Sequence, residues 1–265
     1  MTKIIDLVNQ FEVFAPKSMA EIGDPVGLQL GDINNTVTKV MTTLDVRPEV
    51  VQEAINKNVD FIFAHHPLIF RPAKNLDTTN PQNKMYADLL SHNITVYAAH
   101  TNLDNVTGGM NDWLASRLKL QETIPLVYTN SSDYGMGRIG NLTSPMTVIE
   151  FSEYCKKQFN ISGLRLISND LTQSIKRVAV LGGDGGKFYH EAIKQQADVY
   201  VTGDVYYHTA HDMLAEGLSV IDPGHHVESI CKAQLKRLFG EWNLENNWQI
   251  EIIESDINTD PFQFI

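Results

Sequence analysis

The sequence predicts an α/β protein made of two α/β lobes with mostly parallel sheets. Short runs of β-branched and aromatic residues alternate with helical patterns, as buried parallel strands and their crossover helices do. That rhythm breaks near residue 121 and returns near 177, which divides the chain in two. With 265 residues, 43% of them hydrophobic and 20% charged, the chain can bury a sizeable core.

Met1-Thr2-Lys3-Ile4-Ile5-Asp6 opens an amphipathic helix, and Asp6 and Glu12 stand where a signal peptide would be apolar. Residues 37–45 form a strand pattern, followed by a helix that starts at Pro48, a residue tolerated in the first helical turn. Strands are expected at 59–64 and 94–99, with a helix around 85–90 between them. Gly108-Gly109 leads into a helix with Met110, Trp113, Leu114 and Leu118 at helical spacing. Beyond residue 121 come a glycine-rich strand or turn at 134–140, a helix at 148–159 and a strand at 163–168. Strands return at 177–181, 199–202 and 218–221, and 248–253 is the last. The first lobe is therefore expected over 1–120, joined by the C-terminal strand within 248–265, and the second over 121–247.

Three of these strands end in potential metal ligands. The run to Ala64 ends in His65-His66-Pro67, the run to Ala99 leads to Asp104, and the run to Ile221 leads to Asp222-Pro223-Gly224-His225-His226-Val227-Glu228. Ligands of open α/β sheets bind beyond the carboxyl ends of strands. Imidazoles and carboxylates without thiolates suit Zn, Fe or Mn. Adjacent strand residues point to opposite faces, so His65 and His66 are expected to reach two neighbouring ions where Pro67 bends the chain. His225 and Glu228, three apart at a helix start, share one helical face, and His226 points away from it. Three imidazoles and two carboxylates cannot fill two tetrahedral shells, and open positions mark catalytic sites.

A second cluster runs from Thr202-Gly203-Asp204 to His208 and His211. Asp204 and His208 fit two readings: a carboxylate orienting an imidazole for proton transfer, or a helix cap beside surface histidines. Gly182-Gly183-Asp184-Gly185-Gly186-Lys187 is a tight turn matching neither the Walker nor the dinucleotide pattern. His92, His100 and His190 carry no signal by themselves.

The net charge of −11 argues against a nucleic-acid surface as the main partner, which would need clustered Lys and Arg. No apolar stretch approaches the roughly 20 residues of a membrane helix. Cys155 and Cys231, far apart in helical patterns, read as free thiols of a cytoplasmic protein.

Pro25-Val26-Gly27-Leu28-Gln29, Ala64-His65-His66-Pro67, Thr101-Asn102-Leu103-Asp104, Thr202-Gly203-Asp204 with Tyr207-His208, and Asp222-Pro223-Gly224-His225 with Glu228 follow one another in this order. In this ordered set, which spans essentially the whole chain, the sequence resembles the dinuclear-metal-centre family of GTP cyclohydrolase 1 type 2 homologs, the NGG-interacting-factor-like proteins. The resemblance implies that His65, His66, Asp104, His225 and Glu228 bind two divalent ions in a cleft between the lobes. It also implies a ring-shaped homohexamer, in a short form lacking the middle domain that some members carry. The expected activity is metal-dependent hydrolysis, with metal-bound water attacking a purine-nucleotide ring and Asp204 and His208 as candidates for proton transfer. Phosphoester hydrolysis on the same ligands, or a metal-binding scaffold without turnover, are the alternatives.

Overall fold

The computed structural model describes residues 1–129 and 134–265. In chain order it contains α1 (Ile4–Phe14), β1 (Gly27–Leu30), β2 (Lys39–Thr43), α2 (Pro48–Asn56), β3 (Phe61–Ala64), α3 (Pro81–Ser91), β4 (Thr95–Ala98) and α4 (Thr101–Asn105). There follow α5 (Met110–Arg117), β5 (Gln121–Tyr128), β6 (Gly135–Thr147), α6 (Val148–Phe159), β7 (Arg165–Ile167), β8 (Ser174–Asp184) and α7 (Tyr189–Lys194). The chain ends with β9 (Val199–Gly203), α8 (Tyr207–Ala215), β10 (Ser219–Asp222), α9 (Ile230–Asn246) and β11 (Glu251–Glu254). Among the described residues no helix is long and apolar enough to cross a membrane.

Two compact units emerge, one from residues 1–103 with 229–259, the other from 104–228 with 260–265. The boundaries differ from the expected lobes. Residues 104–120 belong to the second unit, and α9, expected in the second lobe, belongs to the first. The reason is the stripe Cys231, Leu235, Phe239 and Trp242, buried along one face of α9. Phe239 packs at 4.9 Å from the Phe63 ring of β3, and Trp242 at 6.5 Å from Phe11 of α1.

The first unit holds a five-stranded sheet in the order β1-β4-β3-β2-β11. All its pairings are parallel except β1 with β4 at one edge. Side chains alternate across a strand, so Phe61 and Phe63 of β3 meet the aromatic layer of α1 and α9 while Ile62 and Ala64 join the opposite core with α2 and α3. Buried on both faces, β3 and β4 read as continuous apolar runs.

The second unit holds a six-stranded sheet in the order β5-β6-β8-β9-β10-β7. It is mixed rather than mostly parallel: β8, β9 and β10 run parallel, while β5-β6, β6-β8 and β10-β7 are antiparallel. Strands β5 and β6, consecutive in the chain among the described elements, pair antiparallel along residues 121–128 and 135–141. Strand β5, where sequence periodicity breaks down, is an edge strand with Pro125 and largely exposed side chains, so neither alternation nor continuous apolarity marks it. Helix α6 starts from a capping box in which Thr147 Oγ1 accepts from Glu150 N and Glu150 Oε2 accepts from Thr147 N.

Candidate metal centre

In the first unit the register pairs Thr43 of β2 with Ala64 of β3, and Ala64 with Ala98 of β4. Three parallel strands thus end side by side, and the residues after them emerge together. His65 N donates to Thr43 O at 3.1 Å, His66 N to Leu44 O at 2.9 Å and Ala99 N to Ala64 O at 3.0 Å, which carries the ladder one step past the strands.

The rings are then set individually. His65 is fully buried and its Nδ1–H donates to Ala99 O at 2.8 Å. A carbonyl only accepts, so the proton sits on Nδ1 and Nε2 keeps its lone pair. His66 Nδ1 meets Asp45 Oδ1 at 2.7 Å, and Asp45 Oδ2 accepts from Thr259 Oγ1 at 2.5 Å. His100 Nδ1 meets Asp24 Oδ1 at 2.9 Å. Burial by itself would raise the Asp24 carboxyl, but hydrogen bonds from His100 and Thr101 outweigh it and hold the group below the usual carboxylate range. One ligand atom from each of His65, His66 and His100 lies within 4.8 Å of the others. The adjacent His65-His66 pair therefore does converge, because both residues lie beyond the regular strand. His100 and the carboxylates Asp24 and Asp45 were not recognised from sequence.

In the second unit β8, β9 and β10 also end together, with Asp184 of β8 paired to Gly203 of β9 and Val201 paired to Ile221 of β10. Asp222 is buried at the end of β10 and joins two loops. Its Oδ2 accepts from Val205 N at 3.0 Å, its Oδ1 from Gly224 N at 2.9 Å, and Arg165 pairs with it. His225 and Glu228 lie in a 3-10 turn, His225–Ser229, where side chains three apart eclipse. His225 Nε2 stands 3.1 Å from Glu228 Oε2, and His225 Nδ1 2.7 Å from Asp204 Oδ2. A β-carbon at Gly203 would sit 2.9 Å from His225 N, and one at Gly182 only 2.5 Å from Glu228 Oε1. Gly203 is required by close approach to the backbone of the His225 loop, and Gly182 by close approach to the Glu228 side chain.

Asp104 and Glu228 are buried, and each offers a carboxylate oxygen within 4.8 Å of the other's. Asn111, fully buried, links their surroundings by donating to Asp104 O at 3.0 Å and accepting from Gly182 N at 3.0 Å. The partner of Asp204 is His225 rather than His208, which is exposed on α8 with its ring 5.4 Å from Tyr207. That corrects the expected Asp204–His208 pairing: Asp204 has φ +52, and the left-handed turn joins strand to helix beside the His225 loop.

The donor chemistry fits divalent cations. Metal-ligating histidines give their second ring nitrogen to a carboxylate or backbone carbonyl, which fixes tautomer and orientation. His65, His66 and His225 all do so. Histidine and glutamate groups that could hold a metal ion are thus present among the described residues.

Residues 2–261 match the family model described as Duf34/NIF3 (NGG1p interacting factor 3). A Streptococcus pneumoniae protein named GTP cyclohydrolase 1 type 2 homolog is 43% identical over 263 residues, covering 98% of both chains. A Listeria innocua protein of the same name is 35% identical over an alignment of 360 residues that covers 96% of each, so it carries a long segment this chain lacks. The crystal structure of a Bacillus cereus protein related to NIF3 superposes with a TM-score of 0.97 at 30% identity, covering 100% of this chain and 99% of that one.

Proposed function

The chain belongs to the Duf34/NIF3 (NGG1p interacting factor 3) family, and from that premise we propose that it is a dinuclear metal-dependent hydrolase. In this reading His65, His66, Asp104, His225 and Glu228 hold two divalent ions, Zn, Fe or Mn. The observation that carries it is the engagement of His65, His66 and His225 through Nδ1, each by an oxygen, the way metal-ligating imidazoles are oriented. Bound ions would supply Lewis acidity and lower the pKa of water. The chain's own residues do the positioning. Asp45, Asp204 and the Ala99 carbonyl hold the rings, Asp222 and Asn111 hold the loops, and Gly182 and Gly203 make room for Glu228 and His225. Five donors are too few to complete two coordination shells, which leaves space for water and substrate.

The substrate reading is a purine nucleotide, opened by water at the imidazole carbon of its base. It rests on the name carried by relatives such as the Streptococcus pneumoniae protein. His208, on the helix that follows Asp204, is the candidate for proton transfer. On the family resemblance we extend the proposal to a homohexameric ring, and on the free thiols Cys155 and Cys231 to a cytoplasmic location.

Metal analysis of the purified protein, coupled to a metabolite-turnover screen that includes GTP, tests the proposal. About two ions per chain and a ring-opened product formed only with metal are expected. One ion per chain or none would sink the dinuclear reading. Metal-dependent phosphate release without ring opening would move the chain to phosphoester hydrolysis, and full metal content without turnover to a scaffold.

A further inference from the structure

We propose that His100 is a sixth protein donor to the metal centre, held in place by Asp24. The inference rests on the dinuclear reading and extends its ligand set. Strands β3 and β4 are paired in register at Ala64 and Ala98, so they release His65, His66 and His100 at one edge of the sheet. The His100 ring lies 5.2 Å from that of His65 and 5.6 Å from that of His66, and the three offer ligand atoms within 4.8 Å of one another. Three imidazoles with a shared open position are an established zinc-binding set.

The second argument is the carboxylate behind the ring. The Asp24 side chain is only 4% exposed, and burying a carboxylate is costly unless it is fully hydrogen-bonded. Asp24 Oδ2 is taken by the backbone and hydroxyl of Thr101, and its remaining oxygen is given to His100 Nδ1 at 2.9 Å. This repeats the pairings of His66 with Asp45 and His225 with Asp204, both on residues already read as ligands. Exposed His92 has no such carboxylate, and its Nδ1 meets the Asp88 carbonyl of its own helix at 2.8 Å. With Nδ1 committed, Nε2 of His100 makes no hydrogen bond to any described residue, and it is the nitrogen left for a cation.

Zinc binding measured by equilibrium dialysis at buffered free zinc, on the full chain and on His100→Ala, His100→Gln and Asp24→Asn, tests the assignment. Cobalt-substituted samples report coordination through their visible absorption. His100→Ala and His100→Gln are expected to weaken one ion by roughly 100-fold or more and to change the cobalt spectrum, and Asp24→Asn to weaken it about 10–100-fold. His100→Gln keeps a donor toward Asp24 and decides the matter if His100→Ala does not fold. Wild-type protein with two ions, beside a His100→Gln protein with unchanged affinity and cobalt spectrum, overturns this assignment alone. A wild-type chain that binds no zinc overturns it together with the dinuclear reading.

Discussion

Oxygen atoms that no ligand motif announces decide what the histidines of this chain can do. Ala99 O, Asp45 and Asp204 engage Nδ1 of His65, His66 and His225 and so fix the orientation of the three rings. Asp204→Asn keeps the shape but can turn an NH2 toward His225. It is expected to lower zinc affinity about 10–100-fold without loss of fold, measurable by calorimetric titration. Glu228→Ala removes a donor outright and is expected to leave the purified protein short of metal. His208→Ala touches neither Asp204 nor His225 and is expected to retain full metal content. If His208 transfers protons, turnover of that metallated variant falls roughly 10²–10⁴-fold, and unchanged turnover would assign it to the surface.

Elements follow the same division between local signal and distant partner. Helix α9 is visible as a helix because Val227, Ile230, Cys231, Leu235 and Leu238 recur at helical spacing, yet that pattern does not say which sheet the helix covers, and the buried stripe proves to be Cys231, Leu235, Phe239 and Trp242. Its burial against Phe63 and Phe11 makes it part of the first core, so Phe239→Ala is expected to cost about 3–5 kcal/mol in chemical denaturation. A second tie joins α2 to the segment after β11. Glu53 accepts from Lys57 Nζ at 2.7 Å, Ser255 Oγ at 2.5 Å and Asp256 N at 2.9 Å. Burial by itself would raise this carboxyl, but those bonds outweigh it and hold it below its usual value. A depressed folded-state value means the group stabilises the fold above the ordinary carboxylate range, and the benefit is lost as pH falls through the folded value. Urea midpoints followed downward from neutral pH are therefore expected to fall more steeply for wild type than for Glu53→Gln within that acidic window. Equal slopes would show that the tie contributes nothing. Strand β5 went unseen for the opposite reason to α9, since an exposed edge strand carries almost no burial pattern to read.

For the whole molecule, the family resemblance leads to the expectation that purified protein elutes as a hexamer in light scattering at micromolar concentration, and a stable monomer would contradict it. The sequence by itself determined the alternation of strands and helices, the placing of five candidate donors after strand ends, and the ordered motifs that identify the family. Those properties are local: strand-end position, spacing of three on one turn, and donor chemistry are all written in neighbouring residues. Only the tertiary structure decided that His100 joins His65 and His66, that Asp24 stands behind it from 76 residues away, and that Asp204 serves His225 rather than His208. A hydrogen bond depends on separation in space, and sheet register sets that separation. The order β1-β4-β3-β2-β11 brings the ends of β3 and β4 together across some thirty residues of chain, and no pattern within either strand carries that information.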